Sequence, residues 1–200
     1  MTQPSPFMIK SELRAVLRAR RRAFVEARES NLFNSDNVIK CFDKYLVDRQ
    51  KTVASYRASA QECDVNSVLC ALPGIEDRLA LPWGNSKADP IVFRRWRPGN
   101  ALQLSPLGFE QPLETEAEVV PDIILTPLLG FDRALRRLGQ GAGHYDRTFA
   151  LFPNALRIGI AWSCQQVEVI PADPWDMPLD AVLTEREWIT APQSRLDPQS

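Results

Sequence analysis

Between residue 9 and about residue 29, Leu13, Val16, Leu17 and Phe24 recur at helical spacing, while Lys10, Arg14, Arg18, Arg20, Arg21, Arg22 and Arg28 occupy the other faces. This pattern predicts an amphipathic helix with one apolar stripe and a strongly basic remainder. Ser35 and Asp36 then offer an N-cap, and Val38, Ile39, Phe42 and Leu46 form the stripe of a second helix that ends near Gln50. Beyond it the rhythm changes to short apolar runs separated by turn residues. Thr52-Val53-Ala54-Ser55-Tyr56 reads as a strand, and Asp64 caps a short helix through Val68, Leu69 and Leu72 that Pro73-Gly74 terminates. Arg78-Leu79-Ala80-Leu81-Pro82 and Ile91-Val92-Phe93 are strand-like. The run from Val119 to Thr126 reads as one strand buried on both faces. A glycine-rich loop, a helix over about 145–152, and strands at 156–162 and 181–183 complete the set. Apolar strands alternating with helices predict an α/β protein with an open, mostly parallel sheet covered on both faces. In such folds ligands gather beyond the carboxyl ends of strands, where loops and helix N-termini meet.

Composition narrows the class. At 200 residues the chain fits one domain, with flexible ends expected at 1–7 and about 190–200. The 24 Lys+Arg nearly balance 25 Asp+Glu, so no bulk field draws in nucleic acid. No stretch approaches the ~20 apolar residues that span a bilayer, and the N-terminus has no apolar signal region. Cys41, Cys63, Cys70 and Cys164 form no C-x-x-C pair, and His144 is the only histidine, so a zinc site has little to draw on. These features predict a cytoplasmic monomer with reduced thiols that binds neither nucleic acid nor membrane. The tryptophans and phenylalanines read mainly as packing residues: Trp162, Trp175 and Trp188 in the C-terminal third, and Trp83, Phe93 and Trp96 in the middle, where they could also wall a flat ligand.

The segment with the most chemistry runs from Arg133 to Arg147. Gly139, Gly141 and Gly143 at alternate positions let backbone N–H groups converge on an anion, and the following helix points its positive end at the same spot. Flanking arginines add charge-assisted hydrogen bonds, each worth roughly 1.5–3 kcal/mol when well placed. Asp146 is an acidic residue in a cationic neighbourhood, which suits a Mg²⁺ held against a polyphosphate. A P-loop is excluded, because His144-Tyr145 follows the third glycine in place of Lys-Ser/Thr. The dinucleotide fingerprint fails too, since a proline-containing linker separates the loop from the strand ending at Thr126.

Pro121-Asp122, Pro127-Leu128-Leu129-Gly130-Phe131-Asp132 and Arg137-Leu138-Gly139-x-Gly-x-Gly-His144-Tyr145-Asp146 together resemble the 5-formyltetrahydrofolate cyclo-ligases, or 5,10-methenyltetrahydrofolate synthetases. Lys10-Ser11-Glu12-Leu13-Arg14, Tyr56 through Glu62, Leu79-Ala80-Leu81-Pro82 and Asp176-Met177-Pro178-Leu179-Asp180 extend the resemblance in the expected order. It implies a three-layer α/β/α, Rossmann-like fold akin to sugar-phosphate isomerases and CoA transferases, with an N-terminal helical segment against the sheet. It also implies ATP- and Mg²⁺-dependent closure of 5-formyltetrahydrofolate to 5,10-methenyltetrahydrofolate, with release of ADP and phosphate.

By the same resemblance, Lys10, Ser11, Glu12, Leu13 and Arg14 bind ATP from the first helix. Arg137, Leu138, Gly139, Gln140, Gly141, Ala142, Gly143, His144 and Tyr145 wrap it from the loop. Arg57 and Glu62 would bind the folate, together with Gln140, Gly141, Ala142, Gly143 and His144. Asp146 and Asp180 would hold Mg²⁺, and Arg137 and Tyr145 would position the reactants with no covalent nucleophile. The loop departs from the family: many members carry Arg at the Gln140 position, some Lys at Ala142, and commonly a second tyrosine at His144. Two alternatives follow from the residues: an ATP-dependent relative acting on another formylated or carboxylated small molecule, and a nucleotide- or RNA-binding module built on the arginine-rich helix.

Overall fold

The structure is a computed structural model that describes residues 8–27, 50–70 and 72–191. The second helix expected over 35–46 and the chain ends 1–7 and 192–200 lie outside the described residues. Among the described residues there are twelve strands: β1 (Val53–Ala54), β2 (Leu79–Trp83), β3 (Val92–Arg95), β4 (Leu102–Leu104), β5 (Glu110–Pro112), β6 (Glu118–Val119), β7 (Ile123–Pro127), β8 (Gly130–Phe131), β9 (Arg137–Leu138), β10 (Leu156–Ile160), β11 (Ala181–Leu183) and β12 (Trp188–Thr190). The helices are α1 (Lys10–Ala27), α2 (Asn66–Leu69) and α3 (His144–Leu151).

Eight strands form one sheet in the order β12-β11-β10-β7-β1-β2-β3-β6, and β4-β5 and β8-β9 are separate hairpins. The five strands from β11 through β10, β7 and β1 to β2 pair in parallel; β12 and β3 flank them antiparallel. The expected mostly parallel α/β sheet is therefore present, with antiparallel edges.

Period-two alternation divides the central strands between two cores. Val53, Leu79, Leu81, Ile123, Leu125, Ile158 and Ile160 face one side, where Val68 and Leu69 of α2 and Phe24 of α1 pack. Ala54, Ala80, Ile124 and Val182 face the other, where Phe149 of α3 packs. Helices therefore cover both faces, giving the three layers. α1 lays Leu13 and Leu17 against Leu138, Val167 and Ile170. A Cβ on Gly130 would come within 2.5 Å of Leu17 Cδ1, so the glycine lets α1 approach β8 closely.

Three elements differ from the hydrophobic pattern. The run 119–126 is two strands, since Pro121 has no N–H to continue a ladder. Val120 is 74% exposed there, β6 pairs with β3 at the sheet edge, and β7 lies at the centre between β10 and β1. The short helix stops at Leu69; Asp64 does accept the Asn66 N–H (3.0 Å), although Val65 occupies the cap position. The third is the stretch after Thr126, expected as a linker, which instead forms the β8–β9 hairpin.

Asp132 organises that hairpin. Its fully buried carboxylate accepts the N–H groups of Ala134 (3.0 Å), Arg136 (3.1 Å) and Ile170 (2.8 Å), and pairs with Arg136 Nε at 2.6 Å. These bonds stabilise the turn in which Leu135 has a φ of 61°, and they deliver Arg137 and the glycine loop to one place. Asp132→Ala leaves these buried donors unpaired and should cost roughly 2–5 kcal/mol of unfolding free energy. Urea denaturation checks this; a loss under about 0.5 kcal/mol, the ordinary surface range, would contradict it.

Candidate active site

The carboxyl ends of β1, β2 and β7 open into a cleft of ≈ 740 Å³. Tyr56 and Arg57 follow β1, Pro82 lies near the end of β2, and Pro127 and Leu128 lie at the end of β7. Lys10 and Arg14, one helical turn apart on α1, close one side, and the 137–147 segment closes another.

The glycine loop is surrounded by guanidinium groups. A Cβ at Gly139 would lie 3.0 Å from Arg137 Nη1, at Gly141 3.4 Å from Arg14 Cζ, and at Gly143 3.0 Å from Arg147 Nη1. Gly141 and Gly143 also have φ values of 110° and 66°, which side-chain-bearing residues rarely adopt. Arg14 Nε donates to the Gly139 carbonyl (3.0 Å), and Arg147 Nη2 to those of Lys87 (2.7 Å) and Ala142 (3.1 Å). The Nε atoms of Arg137 and Arg147 are buried without a hydrogen-bond partner. The N-terminus of α3 opens at the same place. Concentrated cations, unused donors and a helix N-terminus make a receptor for a polyphosphate.

Carboxylates balance those cations. Arg137 Nη2 pairs with Asp146 Oδ1 at 2.6 Å, and its guanidinium lies 5.8 Å and 5.3 Å from the ring centroids of Tyr145 and Phe149. Lys10 Nζ pairs with Asp173 at 2.6 Å and Asp176 at 2.5 Å. Asp146 Oδ1 also lies 3.4 Å from the N–H of Met177, which places it beside the segment carrying Asp176. Among the described residues no three or more His, Cys, Asp and Glu side chains cluster as a metal site. A pair such as Asp146 and Asp176 nevertheless suits Mg²⁺, which takes one or two carboxylates and completes its shell with phosphate oxygens and water.

The sequence-derived candidates divide. Lys10, Arg14, Arg57, Glu62, the stretch from Arg137 to Tyr145, and Asp146 all line the cleft. Leu13 instead packs in the core, Ser11 and Glu12 are exposed, and the Glu12 carboxylate accepts the Ile9 N–H (3.4 Å). Asp180 does not reach the cleft. Its carboxylate accepts the Arg157 N–H (2.8 Å) at the amino ends of β10 and β11, and the five-residue β10 carries the chain roughly 15 Å toward the other edge. Asp176, four residues earlier in the same Asp-Met-Pro-Leu-Asp segment, occupies the cleft in its place. The sequence signal for this was that Leu179-Asp180 leads straight into a buried strand.

Among the aromatic residues the packing reading holds for some and fails for Trp175. Phe93 and Trp96 are core residues and Trp83 lies under Arg94 (4.5 Å); none of the three lines the cleft. Tyr56, Phe109, Tyr145 and Trp175 do. Trp175, read from sequence as packing, is exposed. The basic face of α1 is engaged internally: besides Arg14, Arg18 holds Gln140 Oε1 (3.0 Å), Arg20 reaches the Cys164 and Gln166 carbonyls (3.4 Å each), and Arg21 is buried 3.9 Å from Glu62.

Burial, reinforced by Glu62 and opposed by Arg137, pushes the Tyr145 phenol up, so it stays protonated at neutral pH. Burial and the Arg147 charge pull His144 down, leaving it neutral. Burial alone would lower Lys10, but its bonds and attraction to Asp173 and Asp176 prevail and raise it. Burial likewise opposes ionisation of Asp176, yet Lys10 and the Asp173 N–H bring it below its ordinary value.

The fold and the cleft define a class: an α/β enzyme with an anion receptor beyond the carboxyl ends of its parallel strands. The comparisons specify it further. The model of the 5-formyltetrahydrofolate cyclo-ligase family matches residues 7–185, and the chain belongs to that family. It is thus an enzyme of the ligase class. It is 30% identical over 176 residues to the 5-formyltetrahydrofolate cyclo-ligase of Escherichia coli K12, covering 84% of this chain and 96% of that one. The match to the Haemophilus influenzae cyclo-ligase is 37% over 99 residues and covers 46% of this chain and 53% of that protein. The solved 5,10-methenyltetrahydrofolate synthetase of Aquifex aeolicus superposes with a TM-score of 0.74 at 28% identity, over 94% of this chain and 95% of the other.

The Lys10–Asp176 pair sets a pH window. Asp176 has a lowered folded pKa, so its contribution to stability is complete above the ordinary carboxylate range and is lost as pH falls through the lowered value. Lys10 has a raised folded pKa, so its contribution is complete below the ordinary lysine value and is lost as pH rises through the raised one. Asp176→Asn should therefore lower the Lys10 pKa, read by NMR titration of the lysine side chain. An unchanged value would contradict the pairing.

Proposed function

We propose that the cleft binds ATP and 5-formyltetrahydrofolate together and closes the folate to 5,10-methenyltetrahydrofolate, releasing ADP and phosphate. The observation that carries the reading is the meeting of Arg14, Arg137 and Arg147 around the glycine loop, beside the carboxylates of Asp146 and Asp176. The other wall, with Tyr56, Pro82, Ile91 and Phe109, offers a flat apolar surface to a pterin, and Glu62 offers its carboxylate to the ring N–H groups.

The chemical difficulty is that a formamide oxygen is a poor leaving group. Its attack on the γ-phosphorus, with ADP departing, gives an imidate-like phosphate. N10 then adds to the formyl carbon, loses its proton, and phosphate leaves. No protein nucleophile is needed, so the residues contribute position and charge. Lys10, Arg14 and the loop amides hold the phosphates. Arg137, stacked by Tyr145 and Phe149, faces the charge that spreads over the γ-oxygens. The protonated Tyr145 phenol can donate a hydrogen bond but not serve as base. Neutral His144 sits at the α3 N-terminus, 3.2 Å from Arg147, and adds no charge. Asp146 and Asp176 would hold Mg²⁺, which supplies further neutralisation of the phosphates when bound.

Gln140 and Ala142, where many relatives carry cations, leave the phosphates to backbone amides and the surrounding arginines. Arg18 extends this set by holding the Gln140 side chain. The thiols Cys70 and Cys164, which form no disulfide among the described residues, and the balanced charge support action on small molecules in the cytoplasm.

Asp146→Asn should reduce kcat/KM at least about 100-fold in a cyclisation assay with circular dichroism unchanged. Near-normal turnover at limiting Mg²⁺ would reject the metal role. Lys10→Ala should raise the KM for ATP by roughly ten-fold, the scale of one charge-assisted bond, and raise that for folate less. Steady-state kinetics with each substrate varied decides this; a change confined to the folate KM would move α1 away from the phosphates.

A further inference from the structure

Trp175 is 70% exposed, whereas Trp96 and Trp162 are buried and Trp83 and Trp188 half-buried. Leaving an indole in water forfeits a large hydrophobic gain, so its position invites an explanation. It lines the cleft. The turn that carries it is tied at both ends. The Asp173 carbonyl accepts the Asp176 N–H (3.0 Å), closing a four-residue turn in which Pro174 fixes the backbone ahead of Trp175. The Asp176 carboxylate accepts the Asp173 N–H (2.8 Å), and both aspartates grip Lys10. Because the backbone of this turn is already fixed, stacking of the indole against a flat ligand costs only the ordering of one side chain.

The choice between the two flat ligands follows from the neighbours. Lys10, held by both ends of this turn, belongs to the phosphate-binding side of the cleft. A nucleotide's base is tethered to its phosphates through the ribose, so it lies just beyond the phosphate contacts. The pterin is drawn instead toward Glu62, Tyr56 and Phe109. We propose that Trp175 is the stacking platform for the adenine ring of ATP, a positioning role that rests on the functional reading above. A platform of this kind meets the face of the base and leaves its edge to other groups.

The test compares Mg·ADP with Mg·pyrophosphate, which share the diphosphate and differ in the nucleoside. Calorimetric titrations of the full-length wild type, Trp175→Ala and Trp175→Phe are run without folate. Trp175→Ala should weaken ADP roughly ten-fold, in the range of one base–aromatic stack, and leave pyrophosphate within about two-fold. Trp175→Phe should retain most of the ADP affinity. Wild-type tryptophan fluorescence should be quenched by ADP, and the quench should disappear in Trp175→Phe. The KM for ATP should rise in Trp175→Ala while that for 5-formyltetrahydrofolate stays unchanged. Unchanged ADP affinity in Trp175→Ala overturns the proposal, and so does an equal loss for ADP and pyrophosphate, which would mark a collapsed turn. A wild type that binds neither ligand overturns the functional reading itself and is distinguishable from both.

Discussion

Positive charge gathered in a partly desolvated cleft cannot stand unpaired, and the carboxylates that pair it here shape the rest of the site. Lys10 rests between Asp173 and Asp176, and Arg137, 5% exposed at its side chain, rests on Asp146. Each pair joins a cation of the cleft to a carboxylate. Under the proposed function, a magnesium–nucleotide complex would offer phosphate to the cation and metal to the carboxylate, and so replace both partners. The mutual shifts of Lys10 and Asp176 are the electrostatic signature of that arrangement.

The scaffold places these groups through apolar packing far more than through polar contacts. α1 is seated by Leu13 and Leu17, one beside Gly130, and its periodicity then leaves Lys10 and Arg14 facing the cleft. The β8–β9 hairpin is tied by the buried Asp132, and β9 contributes Arg137 directly. The carboxyl ends of β1, β2 and β7 supply the floor. Arg21, buried on α1 3.9 Å from Glu62, links α1 to the loop that follows β1.

Much of this was legible in the chain because period-two and period-3.6 patterns read out burial directly. The parallel core, α1, α3 and the glycine loop all appear at their expected positions. What the pattern missed was set by pairing or by direction. Pro121 splits a largely apolar run, and the first half pairs with β3 at the sheet edge while the second lies at the centre between β10 and β1. The β8–β9 hairpin has only two residues on each side, too few to show alternation. Asp176 and Asp180 are four residues apart and chemically identical. Only the entry into β11 decides that the first faces the cleft and the second caps Arg157. Trp175 was misjudged because tryptophan is usually packing, and nothing local shows that its turn is held beside the cleft through Lys10.

The central claim is that this cleft couples ATP to ring closure of 5-formyltetrahydrofolate despite its altered phosphate loop. Its most direct test follows the near-ultraviolet absorbance of 5,10-methenyltetrahydrofolate in a mixture of the protein, ATP and 5-formyltetrahydrofolate, with and without magnesium. Magnesium-dependent growth of that band, with one ADP formed per product, is the expected result. Folded protein that binds Mg·ATP yet forms no product would contradict it, and would mean that Gln140, Ala142 and His144 have redirected the cleft to a different formylated compound.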